Sequence, residues 1–220
     1  MSDQNAPQKP GGRRRLSAEE RQQEIMEAAL DLVAESDVDA VTTQDMATRI
    51  GLTQGAIFRH FASKEAIWEA LVRWLQRRLT KVLSEAAQGG RDPLDALERT
   101  FFAHLDFIAK HPGLPKLIFS DQLLRKNPRL KGLVQEILRA YEGSIAGLIA
   151  ESQRQGLSPR NLDPEAAAVL FVGMIQGLVV QSTVLGYRNS LGAEARSIFT
   201  LYLNGIRTRP AEDGEPCAGA

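Results

Sequence analysis

Hydrophobic residues recur three and four positions apart along most of the chain, a spacing that predicts amphipathic α-helices. The first such stretch follows Ser17, with Leu16 before it and Glu20 three residues after it. Ser-x-x-Glu is a capping box, in which each side chain accepts a hydrogen bond from the other residue's backbone N–H, and Leu16 is placed for a hydrophobic staple. The inward face of this helix is predicted to hold Ile25, Ala28, Ala29, Leu32 and Val33.

Residues 42–64 predict two short helices joined by a tight turn. A pair of threonines can cap the first helix, and Gly51 follows its last turn, where glycine adopts a left-handed backbone at little cost. The second helix begins near Gln54 and buries Ile57 and Phe61, which are four residues apart and share one face. This is the pattern of a helix-turn-helix.

Six more helices are predicted downstream of the helix-turn-helix. They run approximately over residues 63–87, 93–110, 114–125, 128–155, 164–186 and 191–207. Glycine and proline clusters separate them, because neither residue continues a helix well. No stretch has the alternation of a β-strand, so the predicted fold class is all-α, with about nine helices.

The same pattern divides the chain into four parts. A polar, aperiodic start and end predict a disordered basic arm and a disordered tail. The parts are a basic arm (1–15), a helix-turn-helix DNA-binding domain (16–66), an effector-binding and dimerisation domain (67–208) and a tail (209–220).

The helix that follows Pro164 is apolar on nearly every side, which predicts burial against more than one partner. Two glycines four residues apart permit another helix to approach closely. We therefore predict a dimer interface formed by Leu170, Gly173, Gly177, Val180 and Val184. A buried core helix of a monomer is the alternative. A membrane span is disfavoured, because Gln176 and Gln181 interrupt the run and no run reaches about 20 apolar residues.

Composition and charge are those of a globular protein: 43% hydrophobic residues, 25% charged residues and a net charge of zero. Residues 16–66 hold ten acidic residues against four Lys or Arg, which is unfavourable near phosphates, but six of these acids lie on the first helix, mainly on its solvent side. The only cysteine, Cys217, excludes a disulfide within one chain. Without a signal-peptide pattern, a cytoplasmic protein is expected.

The second short helix carries side chains suited to DNA. Gln54 can bond adenine through two hydrogen bonds, and Ala56 can pack on a thymine methyl group. Arg59 and His60 can donate to phosphates or base edges, and Lys64 can neutralise a phosphate. Spacing alone leaves an ordinary packing unit of two helices as an equal alternative.

A family resemblance favours DNA binding. From Thr42 to Leu71 the order T-T-x-x-M-A-x-x-I-G-L-x-x-G-x-I-F-x-H-F-x-S-K-E-x-I closely resembles the DNA-binding domain of the tetracycline-repressor (TetR) family. The resemblance implies operator contacts by Thr43, Gln44, Gln54, Gly55, Ala56, Phe58, His60 and Lys64. Phe58 departs from the family, which more often has tyrosine there, and so lacks one hydroxyl for a phosphate.

The resemblance further implies a homodimer that binds a palindromic operator, usually as a repressor. Arg13, Arg14 and Arg15 precede the first helix, where a flexible basic arm could reach the DNA backbone or minor groove. A merely solubilising tail is the alternative.

The larger domain is predicted to bind a small aromatic or lipophilic effector. The resemblance places several of its segments around a central cavity. The candidate effector contacts are Phe101, Phe102, His104, Leu105, Phe107, Ile118, Phe119, Phe171 and Met174. Aromatic residues at helical spacing are also ordinary core residues, and His104 is the candidate polar contact.

Enzyme motifs are absent from the sequence: there is no metal-ligand cluster, nucleophile elbow, P-loop or dinucleotide fingerprint. We therefore predict no catalytic residue, metal or cofactor. The predicted function is a ligand-responsive DNA-binding transcriptional regulator, released from DNA by its effector. The alternatives are an activator or a non-regulatory, architectural DNA-binding protein of the same fold.

Overall fold

The computed structural model describes residues 16–185 and 191–208, which form ten α-helices and confirm the all-α class. The helices are α1 (Ala18–Glu35), α2 (Thr43–Arg49), α3 (Gln54–Phe58), α4 (Lys64–Gln88), α5 (Pro93–Lys110), α6 (Gly113–Ile118), α7 (Asp121–Lys126), α8 (Pro128–Arg154), α9 (Pro164–Leu185) and α10 (Leu191–Ile206). The predicted basic arm with Arg13, Arg14 and Arg15, and the predicted tail, lie outside the described residues.

Side-chain caps fix the starts of α1 and α2. Ser17 and Glu20 form the predicted capping box at α1, and Thr42 forms a second one with Asp45 at α2. After α2 the chain turns at Gly51, whose φ of 66° lies in the left-handed region that glycine tolerates. The two short helices are thereby held in the predicted helix-turn-helix order.

The segment predicted as one helix over residues 114–125 is instead two short helices, α6 and α7. Helix α6 ends at Ile118, and the hydroxyl of Ser120 accepts a hydrogen bond from the backbone N–H of Leu123 to start α7. A serine that bonds the backbone locally competes with helix continuation. This break accounts for ten helices rather than about nine.

Two hydrophobic clusters hold the helices together. The first joins α1–α4 to parts of α5–α8, with Trp68, Leu117 and Leu130 fully buried within it. The DNA-binding helices therefore share a core with helices of the larger domain. The second cluster lies among α5, α8, α9 and α10 and contains the rings of Phe101 and Phe171, whose centroids are 5.7 Å apart.

Helix α9 contributes only one of its faces to this second cluster. Among the described residues, Pro164–Val184 has the length and mean hydropathy of a membrane span, although glutamines interrupt it. Phe171, Ile175 and Leu178 on its inner face are buried, which explains part of this hydropathy. The opposite face remains exposed.

Candidate DNA-binding surface and effector cavity

Helix α3 is held by its apolar underside with its polar side outward. Ile57 is fully buried and Phe61 nearly so, because both pack in the first cluster. The hydroxyl of Thr53 caps the helix by accepting from the backbone N–H of Ala56. The predicted contact residues Gln54, Gly55, Phe58 and Arg59 are exposed on the other side.

A hydrogen bond between two residues that were predicted to contact DNA joins α2 and α3. Gln54 Nε2 donates to the hydroxyl of Thr43 over 2.8 Å. Thr43 itself is only 7% exposed, so the structure places it beneath Gln54 rather than on the surface. Gln44, the residue after Thr43, is exposed at the start of α2.

Three further predicted contacts are half-buried at the edges of this surface. Ala56 and His60 lie on the flanks of α3, and the backbone carbonyl of His60 accepts from Gln22 Nε2 of α1. Lys64 Nζ lies 3.4 Å from the backbone carbonyl oxygen of Asp39 and 5.9 Å from the centroid of the Trp68 ring. These contacts place the Lys64 ammonium group at the first turn of α4.

A cavity of about 710 Å³ lies in the larger domain, between α4, α5, α6, α8 and α9. Its volume is in the range of small-molecule sites. The walls are mainly apolar, and helix α4 lines it over several turns. The α4 contribution is Val72, Leu75, Gln76, Leu79, Thr80, Leu83, Ser84, Ala87 and Gln88.

The cavity has polar groups both at its rim and in its interior. Thr80, Ser84 and Gln88 of α4 are exposed and lie at its solvent-facing rim. Deeper in, Nδ1 of His104 lies 3.0 Å from the hydroxyl oxygen of Tyr141, across from α5 to α8. Burial lowers the pKa of His104 to about 4 and raises the pKa of the Tyr141 hydroxyl, so both groups are neutral near pH 7.

The helix-turn-helix region is what known proteins share most specifically with this chain. The family model described as bacterial regulatory proteins, tetR family, matches residues 25–71, which include α2, α3 and the start of α4. Residues 25–71 are thus similar to the DNA-binding region of the tetR family. This match supports a DNA-binding transcriptional regulator, as the sequence predicted.

Similar curated proteins extend well beyond the DNA-binding helices. The nucleoid occlusion factor SlmA of Actinobacillus pleuropneumoniae (serotype 5b, strain L20) is 26% identical over 163 residues, which are 73% of this chain and 80% of that protein. SlmA of Vibrio cholerae (serotype O1, strain ATCC 39315 / El Tor Inaba N16961) is 22% identical over 158 residues, covering 71% of this chain and 81% of its own.

Solved structures of other regulators share the whole fold. The fatty acid degradation regulator FadR of Bacillus halodurans superposes with a TM-score of 0.75, 21% identity and coverage of 86% of this chain and 97% of its own. FadR of Bacillus subtilis in complex with stearoyl-CoA superposes with a TM-score of 0.74 and 21% identity, covering 84% of this chain and 99% of its own. The ketosteroid transcriptional regulator KstR2 of Mycobacterium tuberculosis superposes with a TM-score of 0.70 and 21% identity, covering 86% of this chain and 96% of its own.

Only some of the predicted effector contacts line the cavity. His104, Phe107, Ile118 and Phe119 line it. The other five lie in or against the second cluster among α5, α8, α9 and α10. These five are Phe101, Phe102, Leu105, Phe171 and Met174.

Several cavity residues escaped the sequence reasoning. Tyr141 of α8 is one, although tyrosine in an otherwise apolar helix face is a recognisable polar group. A clearer signal lies on α4, where Gln76, Thr80, Ser84 and Gln88 recur every four residues beside the apolar stripe. A row of polar residues beside an apolar stripe indicates that this side of the helix lines a cavity open to solvent.

The residues predicted as a dimer interface lie on one open face of α9. Leu170 is 57% exposed, Val180 50% and Val184 76%, while Gly173 is exposed and Gly177 half-buried. We call this the α9 outer face. On neighbouring α10, Leu201 is 74% exposed and extends the apolar area. A large apolar side chain in water gains about 1.5–3 kcal/mol when it is buried, so this face favours association.

Helix α6 connects the cavity to the DNA-binding helices. Its Ile118 lines the cavity, whereas its Lys116 donates from Nζ to the backbone carbonyl of Ala34 over 2.9 Å, at the last turn of α1. A cation at this position also interacts favourably with the helix dipole. Gly113, the first residue of α6, lies directly against the backbone of α1 at Leu30.

Proposed function

We propose that this protein is a tetR-family regulator that binds a palindromic DNA operator as a homodimer and is released by a small lipophilic effector. The observation that carries the proposal is the course of α4. This single helix begins at Lys64, beside the exposed side chains of α3, and then lines the cavity as far as Gln88. A ligand in the cavity thus touches the element that ends at the DNA-binding surface.

DNA recognition is assigned to α3, since its exposed side carries Gln54, Phe58 and Arg59. The Gln54 amide suits adenine, and Arg59 suits phosphate or guanine. Phe58, 46% exposed, supplies an apolar surface without the hydroxyl that the family more often has. Lys64 at the start of α4 suits a backbone phosphate, once its bond to Asp39 is exchanged.

A dimer through the α9 outer face supplies the second half-site. A single short helix reads only a few base pairs, so affinity requires two copies about one helical turn apart, roughly 34–36 Å. Two-fold symmetry of the protein then calls for a palindromic operator. The exposed Leu170 and Val180 and the small Gly173 between them suit such a symmetric helix pairing.

Release by an effector follows from thermodynamic linkage. A ligand that binds more tightly to a conformation with displaced α3 helices weakens DNA binding by the same factor. A hundredfold effect requires about 2.7 kcal/mol of coupling. Two connections can transmit it: α4 directly, and α6 through Lys116 to the end of α1.

The solved relatives support a lipophilic effector. A structure of FadR from Bacillus subtilis contains stearoyl-CoA, and KstR2 is named as a ketosteroid regulator. Both share the fold of this chain, whose largely apolar cavity lies beside α4. We propose repression as the regulatory outcome, because that is what the family resemblance implies.

A second candidate is a DNA-binding role apart from effector-controlled transcription. It rests on the curated relatives, which are named nucleoid occlusion factors. The two candidates differ in their response to ligands and in the number of preferred sites.

One selection experiment tests the main proposal. Purified protein is mixed with random and genomic DNA fragments, and bound fragments are sequenced. We expect a palindrome whose half-sites are about one helical turn apart, bound about 10³-fold or more over bulk DNA. Enrichment of single half-sites, or none over bulk DNA, would contradict an operator-binding dimer. Many dispersed sites, bound equally with and without ligand, would favour the second candidate.

Substitution of Gln54 by alanine tests the reading role of α3. We expect operator affinity to fall about 10- to 100-fold, since one bidentate base contact contributes about 1–3 kcal/mol of discrimination. Binding isotherms on the selected operator, measured at one fixed salt concentration, give the ratio. Gln135→Ala on the exposed side of α8 is the matched control and should change nothing. Equal affinities for both variants would remove Gln54 from the interface.

A further inference from the structure

The polar centre of the cavity is a pair of side chains from opposite walls. His104 belongs to α5 and Tyr141 to α8, and their rings are nearly perpendicular, with an interplanar angle of 71° and centroids 5.2 Å apart. Nδ1 of the histidine lies 3.0 Å from the tyrosine hydroxyl oxygen. Both residues line the cavity, so a bound molecule reaches them without opening the core.

One nitrogen of this histidine is left over. Nε2 of His104 has no hydrogen-bond partner among residues 16–185 and 191–208, where Nδ1 bonds to Tyr141. A ligand oxygen that bonds to this nitrogen in a mainly apolar cavity therefore gains a hydrogen bond. Other polar groups are less available: Ser144 already donates to the carbonyl of Ala140, Thr80, Ser84 and Gln88 face solvent, and the partnerless hydroxyl oxygen of Thr100 is itself buried.

The pair can present a proton outward in either of its neutral arrangements. If the Tyr141 hydroxyl donates to Nδ1, then the proton of the imidazole is on Nε2 and points to a ligand. If Nδ1 carries the proton and donates to Tyr141, the tyrosine hydroxyl donates outward, and Nε2 accepts. A ligand carbonyl oxygen can accept a hydrogen bond from the pair in both arrangements, and a ligand hydroxyl group can either donate to it or accept from it.

A charged ligand group is poorly served at the same place. No Lys, Arg, Asp or Glu is among the described residues that line the cavity. An ionised carboxylate would therefore lose its hydration without gaining a counter-charge, which costs much more than burying a neutral oxygen. The histidine does not supply the charge either, because burial keeps its pKa at about 4.

We propose that the effector is an uncharged lipophilic compound whose carbonyl or hydroxyl oxygen binds at the His104–Tyr141 pair, with its hydrocarbon part along α4 and α6. The inference rests on the proposed function only in taking this cavity as the effector site. It narrows the effector from apolar molecules in general to neutral ketones, esters or alcohols.

Four probes of equal chain length separate the possibilities: 2-dodecanone, 2-dodecanol, dodecane and dodecanoate. Each displaces Nile red from the full-length protein, and fluorescence gives its dissociation constant. At pH 8 we expect the ketone and the alcohol to bind about fivefold more tightly than dodecane, which corresponds to one hydrogen bond. Dodecanoate should bind most weakly. Its affinity should rise as pH falls towards about 4–5, where a free carboxyl becomes neutral.

Variants of the protein test whether the oxygen of the bound probe lies at the His104–Tyr141 pair. The double variant His104→Phe/Tyr141→Phe removes both possible donors and should abolish the advantage of the ketone over dodecane while leaving dodecane binding nearly unchanged. Ser144→Ala removes a hydroxyl one turn further along α8 and is the matched control, with no change expected. Circular dichroism and the dodecane affinity report whether each variant is folded.

Several outcomes would overturn the inference. They are equal binding of ketone and dodecane by the wild-type protein, an unchanged ketone advantage in the double variant, equal weakening of all probes in that variant, or no displacement by any probe. Failure of the proposed function gives a different result: the ketone binds with the expected preference, yet the selected operator is bound equally with and without it.

Discussion

A Leu170→Glu variant is expected to be a folded monomer that binds the selected operator at least about 100-fold more weakly than the wild-type protein. Leu170 is 57% exposed in the single chain, so a glutamate there is solvated and leaves the monomer stable. In a symmetric interface the same change buries two carboxylates near each other without partners, which costs several kcal/mol. Without the dimer, the gain from linking two half-sites is lost, and that gain is about 10²–10⁴.

Light scattering gives the mass of the variant, and operator titrations give its affinity. Gln135→Glu introduces the same charge on an exposed part of α8 outside this face, and both mass and affinity should remain those of the wild type. If Leu170→Glu stays a dimer with unchanged operator affinity, the α9 outer face is not the interface. A monomer that still binds the full operator tightly would remove dimerisation from the mechanism.

Gly113→Ala is expected to lower the free energy of unfolding by about 3 kcal/mol. A Cβ atom at this position would lie 2.3 Å from the backbone oxygen of Leu30 and 3.1 Å from the backbone nitrogen of Ala34. Both contacts are with backbone atoms of α1, which cannot rotate away, so α6 must shift. Overpacking of this kind typically costs about 1–3 kcal/mol, and the shift also strains the Lys116 bond at the end of α1.

Urea denaturation followed by circular dichroism measures this difference. Gly132→Ala in α8 is the matched control, because a Cβ there meets nothing within 4 Å. In the middle of a helix that change should stabilise by about 0.5–1 kcal/mol. Equal stabilities of the two variants would show that α6 and α1 do not need their close approach. Weaker DNA release by ligand in Gly113→Ala would accord with α6 as a link.

Local signals in the sequence predicted the helix boundaries well. Ser17 caps α1 as expected, Thr42 is the one of the two candidate threonines that caps α2, and Gly51 follows α2 in the left-handed conformation. Each of these depends on a few neighbouring residues, which is why it can be predicted without the fold. The break at Ser120 was missed because apolar residues continue at helical spacing on both sides of it.

The cavity could be predicted only in part, since it depends on how distant helices pack. Helix α5 is apolar on two sides: Phe101 and Leu105 enter the second cluster, while His104 and Phe107 line the cavity. Periodicity shows that these residues lie on a helix but not which side faces α10 and which faces α4. The same ambiguity placed Phe171 with the effector contacts, although it packs on the ring of Phe101.

The hydrogen bond between Thr43 and Gln54 bears on the entropy of operator recognition. A free glutamine side chain loses about 1.5–2 kcal/mol of rotamer freedom when it becomes fixed. Here one amide proton is already held by the threonine, while the amide oxygen and the second proton remain free for a base. In the proposed complex, a nearly buried residue would therefore sharpen base selection without touching a base, by restricting its neighbour before DNA arrives.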